Sequence, residues 1–294
     1  MSQLTEQQGE VVQSAIKGIS QIATLPEITV KIIELVEDPG STAQDLHQLI
    51  AHDPALCSRI LKVVNSAFYG LPRQIGSINR AIVLLGLNAV KNIAIAASLS
   101  KLFKGGNICP GFEARDLWVH SIATGACSKL LSDQLKFGLP DEAFLAGLIH
   151  DIGIIVEMQS HQDGLTKVIA QLAPDENGVP TRDMRELEAQ IMGADHCAFG
   201  AGLCEAWKFP KSFAYVTAHH HDPMKLPDGS RLLTSIVYVA DRLTAEAGFG
   251  FRGDLMHIGI DASVAGELGL GDQELSQARD NLPKIYDEVS ATFR

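Results

Sequence analysis

The chain has 294 residues, 46% of them hydrophobic and 20% charged, enough for one large or two moderate globular domains with real cores. Its formal net charge of −11 argues against nucleic acid as a main partner, because phosphate backbones are held by basic surfaces; a locally basic pocket for one nucleotide stays open. Five cysteines (Cys57, Cys109, Cys127, Cys197 and Cys204), an odd number without a Cys-x-x-Cys, read as free buried thiols of a reducing cytosol.

Met1 to Glu6 has neither a basic start nor an apolar run, so no secretory signal is visible. The most apolar stretch, Ala81 to Ala97, is interrupted by Gly86, Asn88, Lys91 and Asn92 and is too short to span a bilayer. A cytoplasmic location with no membrane contact is expected.

Taken in order, Val12, Ala15, Ile16, Ile19 and Ala23 predict a helix over 6–23, ended by Leu25-Pro26. A second helix follows over 28–37. Ser41 or Thr42 can cap the third, and Asp53-Pro54 starts the fourth with Asp as N-cap and Pro at the first helical position. Ser77 caps 78–85, Gly86 is a natural residue for the helix stop, in a left-handed conformation, and Asn88 can cap an apolar helix over 89–103. Lys104-Gly105-Gly106-Asn107 and Pro110-Gly111 form the clearest break, so the division is 1–105, a helical bundle, and 111–294.

The second part reads as helices over 113–134, 141–157, 162–172, 181–192, 195–206, 211–220, 230–247 and 272–293. No run of period-two alternation and no internal repeat is present, so the fold class is all-α with two helical subdomains. The first part offers no catalytic set: His47 and His52 read as a solvated helix face, Asn65 as a backbone cap, and Lys62, Arg73 and Arg80 as solvated charges.

The chemistry gathers in the second part. In Leu145-Ala146-Gly147-Leu148-Ile149-His150-Asp151-Ile152-Gly153, the residues Phe144, Leu148, Ile152 and Ile155 form one buried face. His150 and Asp151 are therefore held near a core, where an unpartnered charge is costly. Partners are available on other predicted helices: His120, His196, the triplet His219-His220-His221, and Asp241. Such a set, drawn from five helices, builds metal sites inside bundles. Imidazole and carboxylate suit one or two divalent ions of Fe, Mn, Ni or Zn, and Asp151 could bridge two of them. Neighbouring helical residues point about a hundred degrees apart, which leaves open which of the three consecutive histidines is a ligand.

The order His120, His150-Asp151, His196, His219-His220, Asp241 resembles the HD superfamily of metal-dependent phosphohydrolases. Within it, the first hundred residues resemble the HDOD proteins through Asp53-Pro54-Ala55-Leu56, the stretch from Ile60 to Gly70 that ends Asn-Ser-Ala-Phe-Tyr-Gly, and Leu84-Leu85-Gly86-Leu87. The resemblance covers about residues 16–245 and makes the second subdomain an HD-type bundle. It implies a bacterial regulatory protein working through contacts with signalling proteins in trans, with a nucleotide or cyclic dinucleotide as the alternative ligand and Asp151 as the catalytic residue if the chain is active. The related HD-GYP phosphodiesterases carry a Lys three residues after the Asp, where this chain has Ile154. They also carry a Gly-Tyr-Pro segment after the paired histidines, where it has Asp222-Pro223-Met224-Lys225. Many HDOD proteins lack several ligands; this chain keeps most of them, so metal binding with weak or absent hydrolysis is expected.

Overall fold

Residues 5–22, 27–38, 40–100, 102–103, 107–176 and 178–293 are described by the computed structural model. The expected stop at Leu25-Pro26 and Lys104 to Gly106 lie outside them. The first half holds α1 (Glu6–Ile22), α2 (Glu27–Glu37), α3 (Ala43–Ala51), α4 (Pro54–Val64), α5 (Ile78–Leu85) and α6 (Leu87–Leu99). Its starts are written in the side chains. Thr42 and Asp45 make a reciprocal capping box, Asp53 accepts from Leu56 N at 2.9 Å, and Ser77 accepts from Arg80 N at 3.3 Å. Gly86 sits at the α5–α6 junction with φ 92° and ψ 160°. The positive φ is as expected, but the residue is not in the left-handed helical region; it occupies the extended mirror region open essentially to Gly alone. Helix α6 consequently begins at Leu87, so Asn88 lies in its first turn and is not its cap. Lys91 is buried in this apolar helix because its Nζ donates to Leu35 O at 2.5 Å and Ser41 Oγ at 2.7 Å, satisfying the end of α2.

The predicted break contains a small hairpin, β1 (Asn107–Cys109) with β2 (Phe112–Glu113), turned by Pro110-Gly111. Strands of three and two residues are too short for alternation to show. Then follow α7 (Ala114–Gln134), α8 (Pro140–Ile149), α9 (Ile152–Ser160), α10 (Gln162–Gln171), α11 (Met184–Met192), α12 (His196–Ala206), α13 (Lys211–His219), α14 (Leu232–Glu246), α15 (Ala262–Leu268) and α16 (Asp272–Phe293). The fold is all-α apart from the hairpin. Helix α11 starts at Met184, after the N-cap Asp183, and α15 was not visible as a period in seven residues. The helix expected over 141–157 is broken in two at His150-Asp151. One stretch, Pro140–Ser160, is long and apolar enough to cross a membrane, and 89% of its apolar window is buried inside the fold.

Small residues set the spacing of the central helices. A Cβ on Gly125 of α7 would lie 2.8 Å from Phe144 O, and one on Gly147 of α8 would lie 2.7 Å from Thr124 O. Only two glycines allow α7 and α8 to cross this closely, and the crossing sets His120 and His150 side by side. Helix α14 packs on both, α12 packs on α9 and α13, and α16 returns across α7 to α4. The Asn-Ser-Ala-Phe-Tyr-Gly stretch joins the halves. Asn65 clamps Ile75 through both its backbone groups at 2.6 and 2.9 Å, Phe68 packs on Phe144 at 5.4 Å, and Tyr69 donates to Asp141 at 3.0 Å.

Candidate metal centre

Five elements deliver the polar residues to one buried place. His120 comes from α7, His150 and Asp151 from the α8–α9 break, and His196 from the first residue of α12. His220 and His221 follow the end of α13, and Asp241 comes from α14. None of these side chains belongs to a residue more than 7% exposed. The ring centroids of His120 and His150 are 5.2 Å apart, those of His150 and His220 5.0 Å, and those of His196 and His220 5.6 Å.

The outer ring nitrogens set the direction of the inner ones. His150 Nδ1 donates to Gly147 O at 2.7 Å, and His220 Nδ1 to Val216 O and Thr217 O at 3.2 Å. Nδ1 of His196 is held by Glu188 at 2.8 Å, and Nδ1 of His120 faces Phe249 O at 3.4 Å. With Nδ1 engaged outward, each imidazole turns its Nε2 inward. There Asp151 stands 3.2 Å from both His150 Nε2 and His220 Nε2, one oxygen to each, and Asp241 is 3.0 Å from His120 Nε2 and 3.8 Å from His150 Nε2.

Of these contacts only that of His120 with Asp241 is a hydrogen bond. His150 Nε2, His220 Nε2, both oxygens of Asp151 and one of Asp241 have no aligned partner, although all are buried. Buried polar atoms are almost always satisfied, so a group of orphans aimed at one volume calls for a missing partner. Their ligand atoms lie within 4.8 Å of one another in overlapping groups: His120, His150 and Asp241; His150, Asp151 and His220; and His196, Cys197, His220 and His221. The donor set fits a divalent cation.

Electrostatics agree. Burial alone would depress His150, but the Asp151 carboxylate beside it pushes it up to about 9. Burial would raise Asp151, but His150 and His220 hold it well below the usual carboxylate range. Burial and the neighbouring His220 and His196 drive His221 well below the ordinary imidazole value. Burial pushes Cys197 up to about 11, against the pull of His196.

Two placements differ from the sequence expectation. The close groups contain His220 and His221, whereas the sequence order set His219 beside His220. His221 Nε2 lies 3.0 Å from His196 Nε2, whereas His219 joins none of the close ligand groups among the described residues and feels the charges of Lys225 and Asp222. Helix α13 stops at His219, so His221 already lies beyond the helix and the helical spacing does not govern its direction. Asp254 was missed altogether: it is 5% exposed, in an irregular loop after α14, with Oδ2 3.7 Å from His221 Nε2. Burial and the carboxylates of Asp151 and Asp241 push it up to about 7. Glu188, the outward partner of His196, gave no signal beyond being a helix residue.

The HDOD domain family model matches residues 22–223, a span that crosses the break at 104–111 and includes all the ligand candidates up to His221. The chain belongs to the HDOD family. A Treponema pallidum (strain Nichols) protein described only as uncharacterized is 24% identical over 243 residues. The match covers 80% of this HDOD chain and 45% of that relative, so the chain spans under half of its length. Among solved structures, an HDOD domain protein of unknown function from Geobacter sulfurreducens superposes with a TM-score of 0.76 at 22% identity, over 96% of this chain and 99% of that one. A protein from Shewanella amazonensis SB2B, provisionally named a phosphohydrolase, gives 0.72 at 21% identity, over 97% and 98%. One from Marinobacter aquaeolei VT8, provisionally named a signal transduction protein, gives 0.75 at 23% identity, over 100% and 67%. At these identities the likeness is one of fold.

Proposed function

We propose that this HDOD protein is a signal-transduction component that holds one or two divalent ions of Fe, Mn, Ni or Zn in a closed centre and acts on signalling proteins in trans through contacts, with little or no turnover. The ligands would be His120, His150, Asp151, His196, His220, His221 and Asp241. A bound cation of this kind supplies an acidified water and a polarised phosphate oxygen. This chain's own residues then have to admit the substrate and hold it, and that is where it is poorly equipped. Every ligand residue is at most 7% exposed, and this sealing is the observation that carries the reading.

Among the described residues, the cations named for a phosphate are replaced, paired or set on the surface. Ile154 is fully buried in the core of α9. Lys208 pairs with Glu34 at 3.0 Å and Lys225 with Asp222 at 3.2 Å, while Lys211 is exposed at the start of α13. Arg185 lies near His221 and Cys197 but is bound by Asp222 at 2.8 Å. Loss of one transition-state donor costs about 10²–10³ in rate, and loss of substrate positioning adds to it.

The second reading, hydrolysis of a nucleotide or cyclic dinucleotide, is favoured by one specific feature: Asp151 offers a different oxygen to His150 and to His220, the arrangement of a bridging carboxylate. The deciding experiment is metal analysis of anaerobically purified protein with an assay of cyclic dinucleotides and simple nucleotides under Mn²⁺ and Fe²⁺. The expected result is bound metal and negligible turnover. Turnover near ~1 s⁻¹, within the ordinary enzyme range, abolished by Asp151→Ala, would put the hydrolase first.

A further inference from the structure

Beyond the seven ligands stands a carboxylate with no evident reason to be buried. Helix α14 ends at Glu246, and the chain then folds back over the centre instead of leaving it. Phe249 O faces His120 Nδ1 at 3.4 Å, and the Phe249 ring packs on Tyr286 of α16 at 4.4 Å. Gly250, at φ 71°, lies so close to α7 that a Cβ there would collide with the carbonyl of Asp116. Phe251 N donates to that same carbonyl at 3.1 Å, and the Phe251 ring stands edge-on to Phe112 at 5.0 Å. The segment is pinned on both sides, and what it pins inward is Asp254.

Both oxygens of Asp254 are buried without a hydrogen-bond partner, and its carboxylate forms a close group with His221 and Asp241. Asp151, Asp241 and Asp254 bring three carboxylates together; Asp241 meets His120 at 3.0 Å and Arg242 at 3.7 Å, while neither oxygen of Asp151 or Asp254 has a hydrogen-bond partner, and so much buried acid calls for positive charge among it. Arg242 does not neutralise Asp254: it stacks on Tyr238 at 3.4 Å and donates to Tyr238 O at 3.1 Å. Catalytic metal centres keep a coordination position open for water or substrate, while closed sites fill it with protein.

We infer that residues 249–255 are a built-in cap on the metal centre, and that the Asp254 carboxylate takes, on the His221 side, the coordination position a substrate phosphate would need. The inference rests on the metal-centre reading and adds the reason for its silence. The cap would exclude phosphate and phosphoesters as a class, whatever group they carry.

The test uses the full chain loaded with Mn²⁺, as wild type, Asp254→Asn and Asp254→Ala. Three quantities are read: Mn²⁺ affinity by calorimetry, exchangeable water on bound Mn²⁺ by proton relaxation, and the response of that signal to millimolar inorganic phosphate. In the wild type, bound Mn²⁺ should show little exchangeable water and no response to phosphate. In the variants, affinity should fall roughly 10–100-fold or more, the range seen when even supporting groups of a site are lost, while water access and the phosphate response appear. The asparagine variant keeps the size and shape of the side chain and decides the matter if the alanine variant does not fold. Equal affinity and equal water access in all three proteins would overturn the cap and leave the metal centre standing. A wild-type chain that takes up no Mn²⁺ would overturn the metal centre and the cap with it.

Discussion

Of the three consecutive histidines, His220 and His221 turn inward and His219 does not, because α13 ends between them and the shared centre. His220 Nε2 points at Asp151 at 3.2 Å, and His221 Nε2 at His196 at 3.0 Å. His221→Ala is therefore expected to lower metal content at least as much as His196→Ala, while His219→Ala leaves it within error; elemental analysis of the purified variants checks this. A second residue-scale consequence lies behind His196. Glu188 holds His196 Nδ1, and Glu157 is buried beside Glu188 with both oxygens unpartnered. Burial and the charge of Glu188 raise Glu157 well above its ordinary value. An acid whose folded-state value is raised binds a proton in the fold that the unfolded chain has released. Its contribution is thus fully present below the unfolded value and lost as pH climbs toward the folded one. Glu157→Gln, which stays neutral and keeps a donor for Glu188, should raise the melting temperature of metal-free protein at pH 8 and leave pH 5 nearly unchanged. At this chain length each kcal/mol is worth about 2–3 °C. A variant less stable than wild type at pH 8 would show that Glu157 is ionised in the fold.

At the scale of elements, the break between α8 and α9 matters more than either helix. Continuous helix through His150 and Asp151 would send the two side chains about a hundred degrees apart. The break lets Asp151 reach between His150 and His220. It coincides with the closest helix contact in the centre: a Cβ on Gly153 would collide with the carbonyl of His196 and lie 2.8 Å from Gly200 N. The start of α12, and with it His196, is seated on that glycine. Gly153→Ala is expected to displace α12 and cost about 3 kcal/mol, the upper end of overpacking effects. Denaturant unfolding should show that loss, and metal affinity should fall with it. An alanine variant of wild-type stability and metal content would mean that α9 and α12 do not pack this tightly. Gly125→Ala tests the α7–α8 crossing in the same way, and by the 2.8 Å approach to Phe144 O it should also destabilise.

For the whole molecule, the joint between the halves is apolar and wide. Helix α6, almost entirely buried, packs on α8, and α16 spans α4 and α7, with Phe293 against both Trp118 and Phe144. Interfaces of that character do not leave their partners free to move or to fold alone. Residues 111–293 expressed by themselves should therefore show exposed apolar surface by dye binding and a weakened near-ultraviolet circular dichroism signal. A fragment as well packed as the full chain would show that the break at 104–111 is a true boundary of folding.

The local signals were legible because they are short-range. Caps at Thr42, Asp53 and Ser77, the glycine stop at position 86, and 3.6-residue periods along most of the helices depend on neighbours within a turn or two, and side-chain chemistry alone specifies them. The order His120, His150-Asp151, His196, Asp241 was equally readable, because residue types and their sequence order need no fold to be seen. What only the tertiary structure decided is direction. Which of three adjacent histidines faces inward depends on where α13 stops. The break at His150-Asp151 coincides with the seat of α12 on Gly153. Asp254 enters because a loop without any period is pinned to α7 by a backbone bond, Phe251 N to Asp116 O, formed across more than a hundred residues. Periodicity reports which residues are buried; only packing between distant segments determines what they are buried against.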